Sequence, residues 1–366
     1  MLRRCSIILF MLLFLTGCGQ DVQPDNVIIP AQTNPDIDID DAPEFNSLTA
    51  LRDYLNENRL NDVLEFAFRY TGSDELTGQH LAQMTATCYI SYYTVDDTYC
   101  VTLMTYSGDR IADAYKSGDS SGLSADEKLA MEMAVTMVEE AKTITQDQWE
   151  LELLLHDMLC QKITYLDADS QVNDPNNLPR HLTVVGALVD GKANCQGYAD
   201  AFYTVATIAG FTVDRMSVES PDDLHMVNTV LLDDQWYIVD VTYDDNDTTG
   251  VPNYRLFNAG LDMVSEYTWP PENEVHTLAQ VSSQQYYYHH KGIYYESLED
   301  MAESMVKQWT ENGETLFETM LINEPDGDKL YDVLYEALLK TERSFGYSYE
   351  YFTNDRDTFY TVTITE

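Results

Sequence analysis

Between residues 191 and 242 the chain passes from a helix start to two strands, and each of the three carries one side chain able to move a proton or attack a carbonyl. This order constrains the fold more than any bulk property, because the three groups can act together only if the strands pair and the helix end faces them. The run Gly191-Lys-Ala-Asn-Cys195-Gln-Gly-Tyr-Ala opens the helix. Asn194 is placed to cap it, Ala199, Phe202, Ala206 and Ala209 make one stripe, and Gly210 stops it. Cys195 then sits in the first turn, where unpaired N–H groups and the helix dipole stabilise a thiolate and can receive an oxyanion.

Thirty residues on, His225 begins the strand-like run to Leu231, and fifteen further Asp240 closes Trp236-Tyr-Ile-Val-Asp240. The turn between them decides the register. A two-residue loop at Asp233-Asp234 sets Asp240 opposite Val227, one diagonal step from His225 on the same face; a loop of Leu231 to Asp234 sets the two directly opposite. Either brings the Cβ atoms within about 5 to 8 Å, whereas a three-residue loop without a bulge separates them. The chemistry asks for this set: a thiol needs an imidazole to take its proton and return it to a leaving amine, and the imidazole needs a carboxylate to set its tautomer.

These residues resemble the transglutaminase-like superfamily, a papain-like cysteine fold. The resemblance lies in Cys195-x-Gly-Tyr-Ala199, His225-x-x-Asn228 and Trp236-Tyr-x-x-Asp240-x-Thr242, with His156-Asp157 to Tyr165 before them and Leu256-Phe257-Asn258 after, and covers residues 144–295. It implies Cys195 as nucleophile, His225 as general base and acid, and Asp240 as the orienting carboxylate. It also implies thiol attack on a peptide or side-chain amide, the acyl-enzyme being released by water in a peptidase or amidase and by an amine in a transglutaminase. Members often have Ala-Trp after the histidine and Trp after Asp-x-Thr; Met226-Val227 and Tyr243 stand here, which weakens the case for an aromatic amine channel and favours water. The alternative is a surface binding or adhesion protein that keeps the domain as a scaffold.

The first residues place this chemistry. Arg3 and Arg4 precede the apolar run Ile7 to Leu15, too short for a stable span, and Leu15-Thr16-Gly17-Cys18 resembles a bacterial lipobox. Residues 1–17 then read as a lipoprotein signal peptide, and Cys18 as the lipidated residue that anchors the chain to the membrane. Residues 18–46, acidic and proline-containing without Lys or Arg, read as a tether, so the folded part is expected outside the cytoplasm of a bacterium. With 20 Lys plus Arg against 63 Asp plus Glu, a net −43, a nucleic-acid partner is not expected; the expected partner is a protein or peptide substrate.

The fold class is expected to be α+β, with a central papain-like, transglutaminase-like domain at 124–295 between two small α-β-α-β-β flanks at 47–123 and 296–366. The first flank reads as a helix capped by Ser47, a strand through Phe66 and Phe68, a helix at 74–84, and strands at 88–94 and 98–106 joined at Asp96-Asp97. The second repeats the order, with a helix capped by Ser297, strand 315–322, helix 327–339, and strands 345–352 and 358–365. Tyr92-Tyr93-Thr94 echoes Tyr351-Phe352-Thr353, consistent with an internal duplication. Ahead of the cysteine, one helix capped by Ser124 and Glu127 should turn Leu129, Met133 and Met137 inward, and another should run from about Thr145 to Cys160, a buried thiol.

Neither cofactor nor metal is expected. His289 and His290, adjacent in an expected strand, point to opposite faces, and the spacing of Asp244, Asp245 and Asp247 fits no EF-hand loop, so they read as a solvated acidic loop. His156 and His181 read as structural, with His181 a weak candidate oxyanion donor. Cys88 and Cys100 cannot bridge if the turn is Asp96-Asp97, which offsets them by about 17 Å, but can if it centres on Thr94.

Overall fold

The computed structural model describes residues 38–60, 65–73, 76, 80–81, 84, 88–166, 179–220, 224–245, 250, 252–264, 267, 278–324, 326–354 and 356–366. The signal peptide, Cys18, most of the tether and most of the helix expected at 74–84 lie outside the described residues. Among these residues no helix is long and apolar enough to cross a membrane. The chain divides into two compact units, meeting between Tyr287 and Tyr288, and the fold is α+β with several separate sheets.

In the larger unit the first sheet is built from β1 (Glu44–Phe45), β2 (Glu65–Tyr70), β3 (Cys88–Val95) and β4 (Thr98–Thr105), in the order β1-β2-β4-β3. Helix α1 (Leu48–Leu60) buries Leu51 and Leu55 with Phe66, Phe68, Val101 and Leu103. The β3–β4 turn is Asp96-Asp97, both with positive φ (47° and 61°), the two-residue hairpin geometry that Asp tolerates. Its register sets Thr105 opposite Cys88 and Tyr93 opposite Cys100, and Cys100 is a free buried thiol, so a bridge between the two cysteines is excluded.

After β4 comes α2 (Ser107–Ser117), a helix the sequence reading missed and lying within the stretch assigned to the first flank, although it packs on the cysteine-bearing helix α5 (Cys195–Ala209). Helix α3 (Ala125–Ile144) carries the expected Ser124–Glu127 capping box, but its inward stripe is Ala130, Ala134, Met137, Val138 and Ala141. Leu129 is 43% exposed, so the expected Leu129–Met133 face is rotated by one position. Small residues along the buried stripe let α3 pack closely against its neighbours, α5 among them, and close approach outweighs the larger transfer energy of leucine. Helix α4 (Gln148–Lys162), capped by Asp147, is buried on most of its surface from Trp149 to Cys160.

Behind α5 lies the second sheet: β7 (Val213–Glu219), β8 (Leu224–Leu232), β9 (Gln235–Val239) and β10 (Phe257–Ala259), antiparallel in the order β10-β9-β8-β7. Asp233 and Asp234 have φ of 48° and 62° and form a two-residue turn. Leu232 pairs with Gln235 and Asn228 with Val239, so the first of the two favourable registers is the one adopted. Short strands β5 (Thr164–Tyr165) and β6 (Lys192–Ala193) pair in parallel just before α5.

The smaller unit repeats the first sheet. Helix α7 (Tyr287–Lys291) contains His289 and His290, which the sequence reading placed in a strand; the opposite-faces argument for them therefore does not apply. Strands β11 (Tyr294–Tyr295), β12 (Leu316–Leu321), β13 (Gly346–Thr353) and β14 (Thr358–Thr365) run in the order β11-β12-β14-β13, with α8 (Leu298–Asn312) and α9 (Leu330–Leu339) packed on one face. Both sheets begin with a two-residue parallel edge strand absent from the sequence reading. In the first sheet Phe66 and Tyr92 flank Val101, and in the second Phe317 and Tyr349 flank Val362. Tyr92 thus corresponds to Tyr349, two residues from the Tyr351 suggested by the local echo.

Candidate active site

Asn194 caps α5 as expected, its side chain accepting the Gly197 N–H at 3.3 Å while its carbonyl accepts the Tyr198 N–H at 3.0 Å. Among the described residues this leaves the amides of Cys195 and Gln196 pointing out of the helix start without a partner. Gly197 is required by a close approach. A Cβ there would lie 2.4 Å from the carbonyl oxygen of His181, the same oxygen that accepts the Asn194 N–H at 3.0 Å. The loop before the helix is thereby pressed against its first turn, and Cys195 is left partly exposed at the tip.

His225 and Asp240 meet as the register requires. The His225 Nε2 lies 2.7 Å from the Asp240 Oδ2, and the Cys195 thiol is near enough to the same ring to favour its charged form. Asp240 is 1% exposed, just past β9, where it caps the short helix α6 (Val241–Asp244). Its Oδ1 accepts the Tyr243 N–H at 3.1 Å, and its Oδ2 also accepts the Tyr267 hydroxyl at 2.6 Å. Burial pushes this carboxyl up, but the charge and hydrogen bond of His225 and the two further donors outweigh it and hold Asp240 below the ordinary carboxylate value. Burial likewise opposes the charged form of His225, yet Asp240 and the facing Cys195 raise its pKa well above the ordinary histidine value. The imidazole is walled by Tyr243, edge-on with centroids 4.8 Å apart, and by Tyr267 at 5.8 Å. Tyr243, which stands where family members often have Trp, is thus turned onto the His225 ring.

Tyr267 was not found in the sequence, since it lies 27 residues beyond Asp240 on an irregular segment where no periodicity points to it. A second buried cluster was also not visible as such. His156 sits between Asp157 (Nδ1 to Oδ1, 3.0 Å) and Asp244 (Nε2 to Oδ2, 3.4 Å), with Glu152 nearby accepting from Asn258 at 3.1 Å. Burial lowers the His156 pKa, but the two carboxylates more than offset it and bring it to about 9; burial brings Glu152 to about 8 and Asp244 to about 6. Asp244 is therefore committed to His156 and the Leu256 N–H, Asp245 accepts the Tyr198 hydroxyl at 2.5 Å, and Asp247 lies outside the described residues, so the first two do not form a solvated acidic loop. His181 is buried with its Nε2 unpartnered among the described residues, and burial lowers its pKa. Cys160 is buried as expected, its thiol 3.9 Å from the Val241 carbonyl.

A partly exposed thiol on a helix start, facing an imidazole backed by a carboxylate, is the arrangement of papain-like cysteine acyl transfer. The family comparison agrees: the model of the Transglutaminase-like superfamily matches residues 135–241, so this segment is a transglutaminase-like domain and takes in all three residues. Among solved structures, a TGase aligns at TM-score 0.29 and 14% identity over 57% of this chain and 60% of its own. A putative cysteine protease from Cytophaga hutchinsonii aligns at 0.26 and 10%, over 45% and 65%, and the periplasmic domain of TgpA from Pseudomonas aeruginosa at 0.25 and 15%, over 40% and 54%. The chain spans less than two thirds of the length of each of these structures. No curated protein matches it.

Proposed function

We propose that the protein is a cysteine-dependent acyl hydrolase acting on peptide or side-chain amides, tethered to the outside of a bacterial membrane through a lipid on Cys18. The observation that carries the reading is the buried His225–Asp240 pair, Nε2 to Oδ2 at 2.7 Å, with the Cys195 thiol near enough to the ring to favour its charged form.

In the reaction, His225 takes the Cys195 proton and the sulfur adds to the amide carbon, placing the negative oxygen near the unpartnered amides of Cys195 and Gln196. The C–N bond breaks as His225 returns its proton to the leaving nitrogen, which gives a thioester. His225 then takes a proton from water, the hydroxide adds to the thioester, and the thiol leaves with the proton. The net change is amide plus water to acid plus amine. Asp240 stays ionised throughout, held by its three donors, and orients the ring.

The test is the rate of iodoacetamide alkylation of each cysteine from about pH 5 to 9, read by peptide mass, since Cys100 and Cys160 are buried and Cys195 is not. Fast alkylation of Cys195 that slows at least about tenfold in His225→Ala supports the enzyme. Equal rates in the two proteins overturn it and favour the binding scaffold. The anchor has its own check: Cys18→Ala should move the protein out of the membrane fraction.

A further inference from the structure

The nucleophile and the base reach the site on separate elements, α5 and β8, and one buried hydroxyl lies against both. Tyr106, immediately after β4, is 1% exposed. Its hydroxyl accepts a hydrogen bond from the Gln196 Nε2 at 3.2 Å and lies 3.9 Å from the Met226 sulfur, within donating distance of it. Gln196 follows Cys195 in sequence and Met226 follows His225. A buried hydroxyl is costly unless it is bonded, and two groups that bond this one are the chain neighbours of the reacting pair.

The ring itself is held firmly. The Arg215 guanidinium lies 4.2 Å from its centroid and 3.9 Å from that of Tyr203. Arg215 is fixed by Asp200 and Asp109, each at 2.5 Å. Asp200 belongs to α5, five residues after Cys195, and its other oxygen accepts from the Ser107 hydroxyl and from the amides of Gly108 and Val184. Leu182, Ala199 and Met226 close around the Tyr106 ring, with Met104 of β4 against them. The residue that bridges the pair therefore comes from the end of the first sheet, ahead of the segment matched by the family at 135–241.

We infer that Tyr106 is a positioning residue, its hydroxyl setting the alignment of Cys195 with His225 and making the first sheet part of the catalytic assembly. The inference rests on the proposed function, because it needs a Cys195–His225 pair to align.

The test uses the full chain and the alkylation assay at about pH 6, with four variants. Tyr106→Phe keeps the ring and its stacking on Arg215 but loses the hydroxyl, and is expected to slow Cys195 alkylation about fivefold and to change the shape of its pH profile. Gln196→Leu removes the same bond from the partly exposed side and is expected to match it, with no further loss in the double variant. Tyr203→Phe, which alters the other wall of the Arg215 sandwich, should leave the rate unchanged. His225→Ala separates the two readings. If it slows alkylation while both Tyr106→Phe and Gln196→Leu match the wild type, the inference is overturned and the enzyme stands. If His225→Ala itself has no effect, the enzyme reading falls and takes the inference with it. Should Tyr106→Phe fold poorly, Gln196→Leu alone decides.

Discussion

Among the described residues the larger unit holds two almost fully buried histidines in acidic company, and they differ in their third partner. His225 and His156 are both almost fully buried, and each has an aspartate facing its Nε2, Asp240 in one case and Asp244 in the other. The difference lies in the third group beside each ring. For His156 it is a second carboxylate, Asp157, so the ring is a cation between two anions and keeps its proton to about pH 9. For His225 it is the Cys195 thiol. Burial and a carboxylate are common to both; the third partner, a carboxylate in one case and a thiol in the other, is what separates them. The two are also joined through the backbone, since Asp240 opens α6 and Asp244 closes it, the Asp244 N–H returning to the Asp240 carbonyl at 3.1 Å. The sealed cluster thus anchors the turn that presents Asp240.

The sharpest way to break this comparison is at the thiol. Cys195→Ala is expected to abolish hydrolysis, a loss of about a thousandfold or more, while the thermal midpoint stays within about 3 °C by calorimetry. A comparable loss of activity is not expected at the other histidine. His156→Leu strands buried carboxylates and should cost about 3–5 kcal/mol in urea unfolding, with Cys195 alkylation in the folded protein slowed less than about threefold. A tenfold loss of alkylation there would mean that the two sites act as one.

The titration of the sealed cluster gives the third prediction. The folded-state pKa of His156 is raised from 6.5 to about 9, so its contribution is complete below 6.5 and lost as pH rises through about 9. Glu152, raised from 4.5 to about 8, acts in the same direction over a lower window. The unfolding free energy should therefore fall between about pH 7 and 9.5, by about 3 kcal/mol from His156 alone, with a shallower fall in His156→Leu. The smallest effect belongs to Tyr267→Phe. It removes one of the donors to Asp240 and should cost about 1–2 kcal/mol, read as a fivefold to thirtyfold slower alkylation at about pH 6.

Where local chemistry governs the backbone, the sequence is legible. Asp233-Asp234 forms a two-residue turn because Asp tolerates positive φ, and that turn alone sets Asp240 on the face of His225. Asn194 at the cap and Gly210, with φ of 107°, at the stop bound α5 for the same kind of local reason. The Asp96-Asp97 turn settled the cysteine pair in the same way. Where packing governs, the reading failed. The stripe of α3 follows Ala130 and Ala134 because the neighbouring elements pack closely on it, and Leu129 and Met133 yield to it. The edge strands β1 and β11 are two residues each, too short for any period to show.

By itself, the sequence determined the identity and the order of the candidate groups: a capped helix start holding a thiol, and a hairpin whose turn brings an imidazole and a carboxylate to one face. These are short-range properties, set by which backbone angles and hydrogen bonds each residue accepts. Only the tertiary structure decided what surrounds them. Tyr267 reaches Asp240 from 27 residues away, Tyr106 reaches Gln196 from 90 and Met226 from 120, and His156 meets Asp244 across 88 residues of chain. Such contacts leave no spacing rule behind, because they depend on how separate elements close on one another in space.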